Sequence, residues 1–252
     1  MRHIAFKTLV LLLAVFISEP TWSAQVIEPL KEALQLHETG KIKEAIVIYD
    51  RFIKTHPTRI EGYFNRGNAY YDLGQNERAV KDYSEVIRLS PKDSEAYFNR
   101  GNAYRRLKQD QAALDDYSTA VKLNPQDGRA YINRGAIHFN ARRYAAAVED
   151  FSAAIRISPE DADSYYNRGN SYLALNKKDD AIADYTQAPS LEEKLVGAFY
   201  NRGIAYSDSD KIDAAIADFT EVIKLSPKFS DAYYNRGLAA GKAGKYQAAV
   251  GG

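Results

Sequence analysis

The tripeptide Asn-Arg-Gly recurs six times, beginning at Asn65, Asn99, Asn133, Asn167, Asn201 and Asn235, always at an interval of 34 residues. A strict period of this length is the sequence mark of a stacked repeat. In such a stack each unit buries itself on its neighbours, so a chain of 252 residues needs no single central core.

One copy shows what repeats. From Ile60 the chain reads Tyr63-x-x-Arg66-Gly67-x-x-Tyr70, then Ala79-x-x-x-Tyr83, then Pro91; the next copy places Tyr97, Arg100, Gly101, Tyr104, Ala113, Tyr117 and Pro125 alike. This resembles the tetratricopeptide repeat (TPR), with an aromatic, a Gly, a Tyr, an Ala, an aromatic and a Pro at fixed offsets. One departure is systematic: Arg stands before the Gly where the family has Leu. The resemblance implies an all-α fold, a right-handed TPR solenoid of antiparallel helix pairs with about six full repeats and a truncated one. It also implies a binding role without catalysis.

The expected units are a divergent repeat over 26–59, repeats over 60–93, 94–127, 128–161, 162–195 and 196–229, and a truncated unit over 230–252. The first lacks the triplet; Pro29 suits the first turn of its first helix. Pro91, Pro125, Pro159 and Pro227 close second helices. In the fifth unit Pro189 should interrupt the second helix, and Ser190 to Glu193 reads as a capping box, so a bend is expected near 188–195. A Gly inside a helix costs about 1 kcal/mol relative to Ala. The Gly in every triplet therefore implies close approach of paired helices.

Arg2 and Lys7 precede an apolar run from Thr8 to Ile17, and small residues follow at Thr21, Ser23 and Ala24. That order is a secretory signal over 1–24, with cleavage expected after Ser23. The run is too short to span a bilayer comfortably. The mature chain is expected in a bacterial periplasm or secreted, with no membrane span after cleavage; an uncleaved anchor is the alternative.

The charges balance, 34 basic against 33 acidic, which argues against nucleic-acid binding. The chain has no Cys, so it offers no thiolate metal site. No phosphate loop, His-x-x-x-His pair or nucleophile elbow is present. No cofactor and no catalytic residue are expected. His138 takes the place of Tyr70, Tyr104, Tyr172 and Tyr206 and reads as a packing substitution.

The repeated Arg stands in an apolar place. In a hairpin turning at the fifteenth place, the seventh and twenty-third lie level. The pairs Arg66–Asp82, Arg100–Asp116, Arg134–Asp150, Arg168–Asp184 and Arg202–Asp218 are expected within repeats, as structural ion pairs rather than ligand-binding groups. The first repeat has Glu32 and Ile48 in these places.

The repeated Asn lies on first helices, which line the concave surface in the family. It resembles the asparagine ladder of the O-GlcNAc transferase superhelix and one Asn of the carboxylate-clamp TPRs. The full clamp is not matched, since its basic places hold Glu95, Phe98 and Asn99. The expected groove comprises the six ladder Asn; the aromatic row Phe64, Phe98, Tyr166, Tyr200 and Tyr234; Asn68, Asn102 and Asn170 one turn on; and a basic spot at Arg105 and Arg106. Three functions follow from it: holding an extended peptide, handling glycan, or serving as the recognition arm of a larger enzyme. The alternative for the Asn is bonding between repeats.

Overall fold

The computed structural model describes residues 22–191 and 196–244. Residues 1–21, most of the stretch expected to be a signal over 1–24, the stretch 192–195 and the end from 245 lie outside the described residues. Thirteen helices are described: α1 (Trp22–Glu38), α2 (Ile42–Thr55), α3 (Ile60–Asp72), α4 (Asn76–Leu89), α5 (Ser94–Arg106), α6 (Asp110–Leu123), α7 (Gly128–Asn140), α8 (Tyr144–Ile157), α9 (Ala162–Ala174), α10 (Lys178–Leu191), α11 (Val196–Ser207), α12 (Ile212–Leu225) and α13 (Ser230–Lys242). None is long and apolar enough to cross a membrane.

The chain divides into two compact units, residues 1–116 and 117–252. In the first, α1 through α5 pack pairwise in chain order, and the first helices α1, α3 and α5 also touch in succession. In the second, α7 through α13 do the same, with α7, α9, α11 and α13 touching in succession. Within each unit the first helices therefore share one face.

Local chemistry sets the ends. Asp93, Asp127 and Asp161 cap α5, α7 and α9, each carboxylate accepting a backbone N–H of the first turn. The hairpin turn needs a left-handed residue. Gly74 supplies it at φ 72°, while Lys108, Arg142, Asn176 and Asp210 are held there at φ 56–59° without that freedom.

The interior is aromatic and small. Tyr49, Tyr83, Tyr117, Phe151, Tyr185 and Phe219, the twenty-fourth place of each unit, are fully buried. Each ring needs room on the first helix. A methyl group at Gly67 would lie 2.9 Å from Tyr83, at Gly169 2.8 Å from Tyr185 and at Gly203 2.8 Å from Phe219. That spacing is the gain that offsets glycine's poor helix propensity.

Two local expectations are corrected. α10 runs as one helix through Pro189 to Leu191, so the proline does not interrupt it. And α1 begins at Trp22, so Pro29 sits inside the helix, not in its first turn, and forgoes one backbone bond.

A left-handed non-glycine residue costs about 1–2 kcal/mol, against about 0.5–1 kcal/mol of extra chain entropy lost by Gly. Arg142→Gly is therefore expected to raise the melting temperature slightly, and a drop in a thermal melt would contradict this account of the turn.

Candidate functional site

The seventh-place Arg ties two helix pairs together in five repeats. Its Nε and Nη2 donate to both carboxylate oxygens of the Asp sixteen residues on. The distances are 2.8 and 2.7 Å for Arg66–Asp82, for Arg100–Asp116, for Arg168–Asp184 and for Arg202–Asp218. Arg134 holds Asp150 in the same fork. Nη1 reaches the other way, to the second helix of the preceding repeat: Asp50, Ser84, Ser118, Ser152 and Thr186 accept from the five Arg in turn, at 2.6–3.2 Å. The Ser84 and Thr186 hydroxyls donate hydrogen bonds to the carbonyls of Val80 and Ile182, which leaves a lone pair for the guanidinium. Sequence reasoning missed this second arm. Its signal was the hydroxyl or carboxylate at one fixed place of every second helix.

Aromatic rings enclose the same cation. Tyr63 and Tyr70 flank Arg66, Tyr97 and Tyr104 flank Arg100, and Tyr165 and Tyr172 flank Arg168, with centroids 5.6–5.9 Å from the guanidinium carbon. Hydrogen bonds donated to the carboxylates raise the pKa of all five Arg above the ordinary value. Burial pushes the carboxyls of Asp82, Asp116 and Asp184 up, and the guanidinium pulls against it. His138 puts an imidazole in place of one tyrosine beside Arg134; burial lowers its pKa, and its Nδ1 is sealed off without a partner among the described residues.

The expected groove residues divide. Phe64 and Phe98 are core, at 9% and 4% exposure, and do not line a groove. Phe64 meets the Tyr83 ring edge-on. Tyr166 and Tyr200 lean on Tyr185 and Phe219, and Tyr234 alone of the row is open, at 68%. Asn68 and Asn170 accept hydrogen bonds from the buried Tyr83 and Tyr185 hydroxyls at 2.7 Å, so their Oδ1 atoms are engaged within the repeat. Burial pushes both hydroxyls' pKa up, which keeps them donors. Asn102 and Asn133 are half-buried. Arg105 is exposed. Arg106 lies 3.5 Å from the Tyr71 centroid and donates to the Tyr71 carbonyl, so it is a staple between repeats.

The ladder itself is split. Asn201 Nδ2 donates back to Asn170 at 2.8 Å and toward the Tyr166 hydroxyl at 3.4 Å, and Asn235 Nδ2 donates to the Tyr200 hydroxyl at 2.9 Å. These two amides tie neighbouring repeats. Asn65, Asn99 and Asn167 are half-buried and make no side-chain hydrogen bond among the described residues, yet none of their polar atoms is sealed from solvent. One difference is readable one repeat earlier. The residues 35 positions before these three are Leu30, Phe64 and Ile132, which lack the hydroxyl that Tyr166 and Tyr200 supply.

Family models described as "TPR repeat" match residues 67–108 and 143–176, and others described as "Tetratricopeptide repeat" match 94–127, 162–194 and 200–251. The chain is a TPR repeat protein. No curated protein matches its sequence. Solved structures agree in fold. Crystalline MamA is 26% identical over 64% of this chain and 95% of its own, with a TM-score of 0.62. YrrB, described as a TPR protein with an unusual peptide-binding site, is 19% identical over 74% and 96%, at 0.68. A TPR repeat-containing protein from Cytophaga hutchinsonii is 18% identical over 86% and 87%, at 0.71. The TPR array here is a scaffold.

Removing one side of a partly buried ion pair costs on the order of 3 kcal/mol, because the other charge stays behind. Asp116→Ala is expected to lower stability by about that much in denaturant melts, and Asp116→Ala combined with Arg100→Leu by much less. Equal losses would show that the pair is not coupled.

Proposed function

We propose that this chain is an exported TPR scaffold that holds an extended segment of another protein along the first-helix face. The observation that carries the reading is the set of unbonded, solvent-reachable amides at Asn65, Asn99 and Asn167. Helices α3 and α5 touch, so Asn65 and Asn99 share one surface. An extended peptide presents main-chain donors and acceptors at regular intervals, and a carboxamide offers both. Such a row grips backbone without reading side chains. A peptide-binding site in a protein of the same fold, YrrB, agrees in kind.

The glycan reading needs an aromatic platform. Burial of Phe64 and Phe98 and the bonded hydroxyls of Tyr166 and Tyr200 leave too little of that row open, which favours peptide. Export rests on the basic, apolar and small residues in order over 1–24.

Each net hydrogen bond is worth about 0.5–1.5 kcal/mol. Peptides selected on the full chain from a displayed random library are expected to bind about tenfold more weakly to an Asn65→Ala, Asn99→Ala double variant, whose melting temperature stays at the parent's. Asn201→Ala is expected to do the reverse, losing about 1 kcal/mol of stability. Selected peptides that bind the double variant as well as the parent would end the proposal. For export, N-terminal sequencing of the chain from a periplasmic fraction should begin at Ala24; an intact Met1 there would refute cleavage.

A further inference from the structure

Two amides at the ninth place of their repeats are gripped by the framework on one side only. Asn68 is 8% exposed, and its Oδ1 accepts from the hydroxyl of the fully buried Tyr83. That hydroxyl has no other acceptor among the described residues. If the amide turned over, the buried hydroxyl proton would be left unmet, so the orientation is locked. The Nδ2 of Asn68 is then fixed on the far branch. It makes no hydrogen bond among the described residues, yet it is not sealed from solvent. Asn170 repeats the arrangement: its Oδ1 accepts from Tyr185 at 2.7 Å and from Asn201 at 2.8 Å, and its Nδ2 is likewise unbonded and unsealed.

The Asn170–Asn201 bond also shows what lies beside such an amide. It joins the ninth place of one repeat to the ladder Asn of the next, 31 residues on. The same register sets Asn68 beside Asn99, on helices α3 and α5, which touch. Here the bond is not made, and Asn99 has no side-chain hydrogen bond among the described residues. Asn68 and Asn99 therefore border one open place on the first-helix face. One amide is locked as a donor, and the other is able to turn. Trans geometry sends the carbonyl and the N–H of a peptide group in opposite directions, so a locked donor meets only the carbonyl. A proline after that carbonyl offers no N–H and loses nothing by it. We infer that Asn68, and Asn170 in its own unit, set the polarity of the groove: each donates through Nδ2 to a main-chain carbonyl of the bound segment and accepts nothing from it, so the residue after that carbonyl can be proline. This assignment rests on the peptide-holding function proposed above.

The array supplies its own control. Where the ninth place is apolar, as at Ala136 and Ile204, the ring opposite is Phe151 or Phe219. The double variant Asn68→Ala, Tyr83→Phe installs the pairing of the fourth repeat and orphans no hydroxyl, so it is expected to melt near the parent. A peptide selected on the full chain is resynthesised with a thioamide at each peptide group in turn, which weakens one carbonyl as an acceptor, and with N-methylation, which deletes one N–H. One thioamide is expected to weaken binding to the parent chain about fivefold and to the double variant less than about twofold. N-methylation of that same peptide group is expected to cost the parent less than about twofold. If the double variant fails to fold, Asn68→Asp replaces it, since a carboxylate still accepts from Tyr83 but cannot donate. A scan without a thioamide penalty overturns the inference. So do thioamide penalties that all survive in the variant, and an N-methyl penalty as large as the thioamide's at the same group. These results leave the groove standing if the Asn65→Ala, Asn99→Ala chain still binds more weakly; unchanged binding to that chain overturns both.

Discussion

The guanidinium at the seventh place decides how one repeat meets the next. Its fork closes on a carboxylate of its own repeat, and its remaining nitrogen reaches a hydroxyl or carboxylate of the repeat before. A cation in a half-buried seam is tolerable only if its donors are met. Here planar geometry matters, because a carboxylate takes two parallel bonds and still leaves Nη1 free to bridge. Leucine in this place would fill the volume but would say nothing about direction. The Arg adds direction, so the seam is specified by hydrogen bonds as well as by packing.

Packing supplies the rest of the precision. The ring at the twenty-fourth place needs a first helix without a Cβ at the eighth, and the ninth place selects whether that ring ends in a hydroxyl. These are side-chain rules between positions that are distant in sequence but recur in the units that carry the triplet; the first repeat, with Ala33 and Leu34 in those places opposite Tyr49, departs from them. They explain why Arg and Gly recur together: from one turn of helix the Arg reaches the Asp of its own repeat and the second helix before it, while the Gly makes room for the ring.

Much of this was legible in the sequence because a period repeats its own evidence. The helix pairs, the Arg–Asp partners and the reason for the Gly all follow from places that vary together. What was not legible depended on side-chain direction. Phe64 and Phe98 look like a groove row when written next to Asn, but one residue along a helix turns a side chain by about 100°, and that turns them into the core. Pro189 looked like a break because a proline's cost was weighed without the helix that carries it. The ladder looked uniform because six identical Asn hide predecessors of four kinds, Leu30, Phe64 and Phe98, Ile132, and Tyr166 and Tyr200.

That last point bears on how such an array changes. Among the described residues Asn99 makes no side-chain hydrogen bond, and Phe64 stands 35 residues before it where Tyr200, whose hydroxyl accepts from Asn235, stands before Asn235. Phenylalanine and tyrosine codons differ by a single nucleotide. One mutation in one repeat can therefore recruit the amide of the following repeat into the framework, or release it toward solvent, without disturbing the period. Duplicated units can thus drift between architectural and ligand-facing duty one oxygen atom at a time, and a lineage can redraw its binding strip while the backbone stays the same.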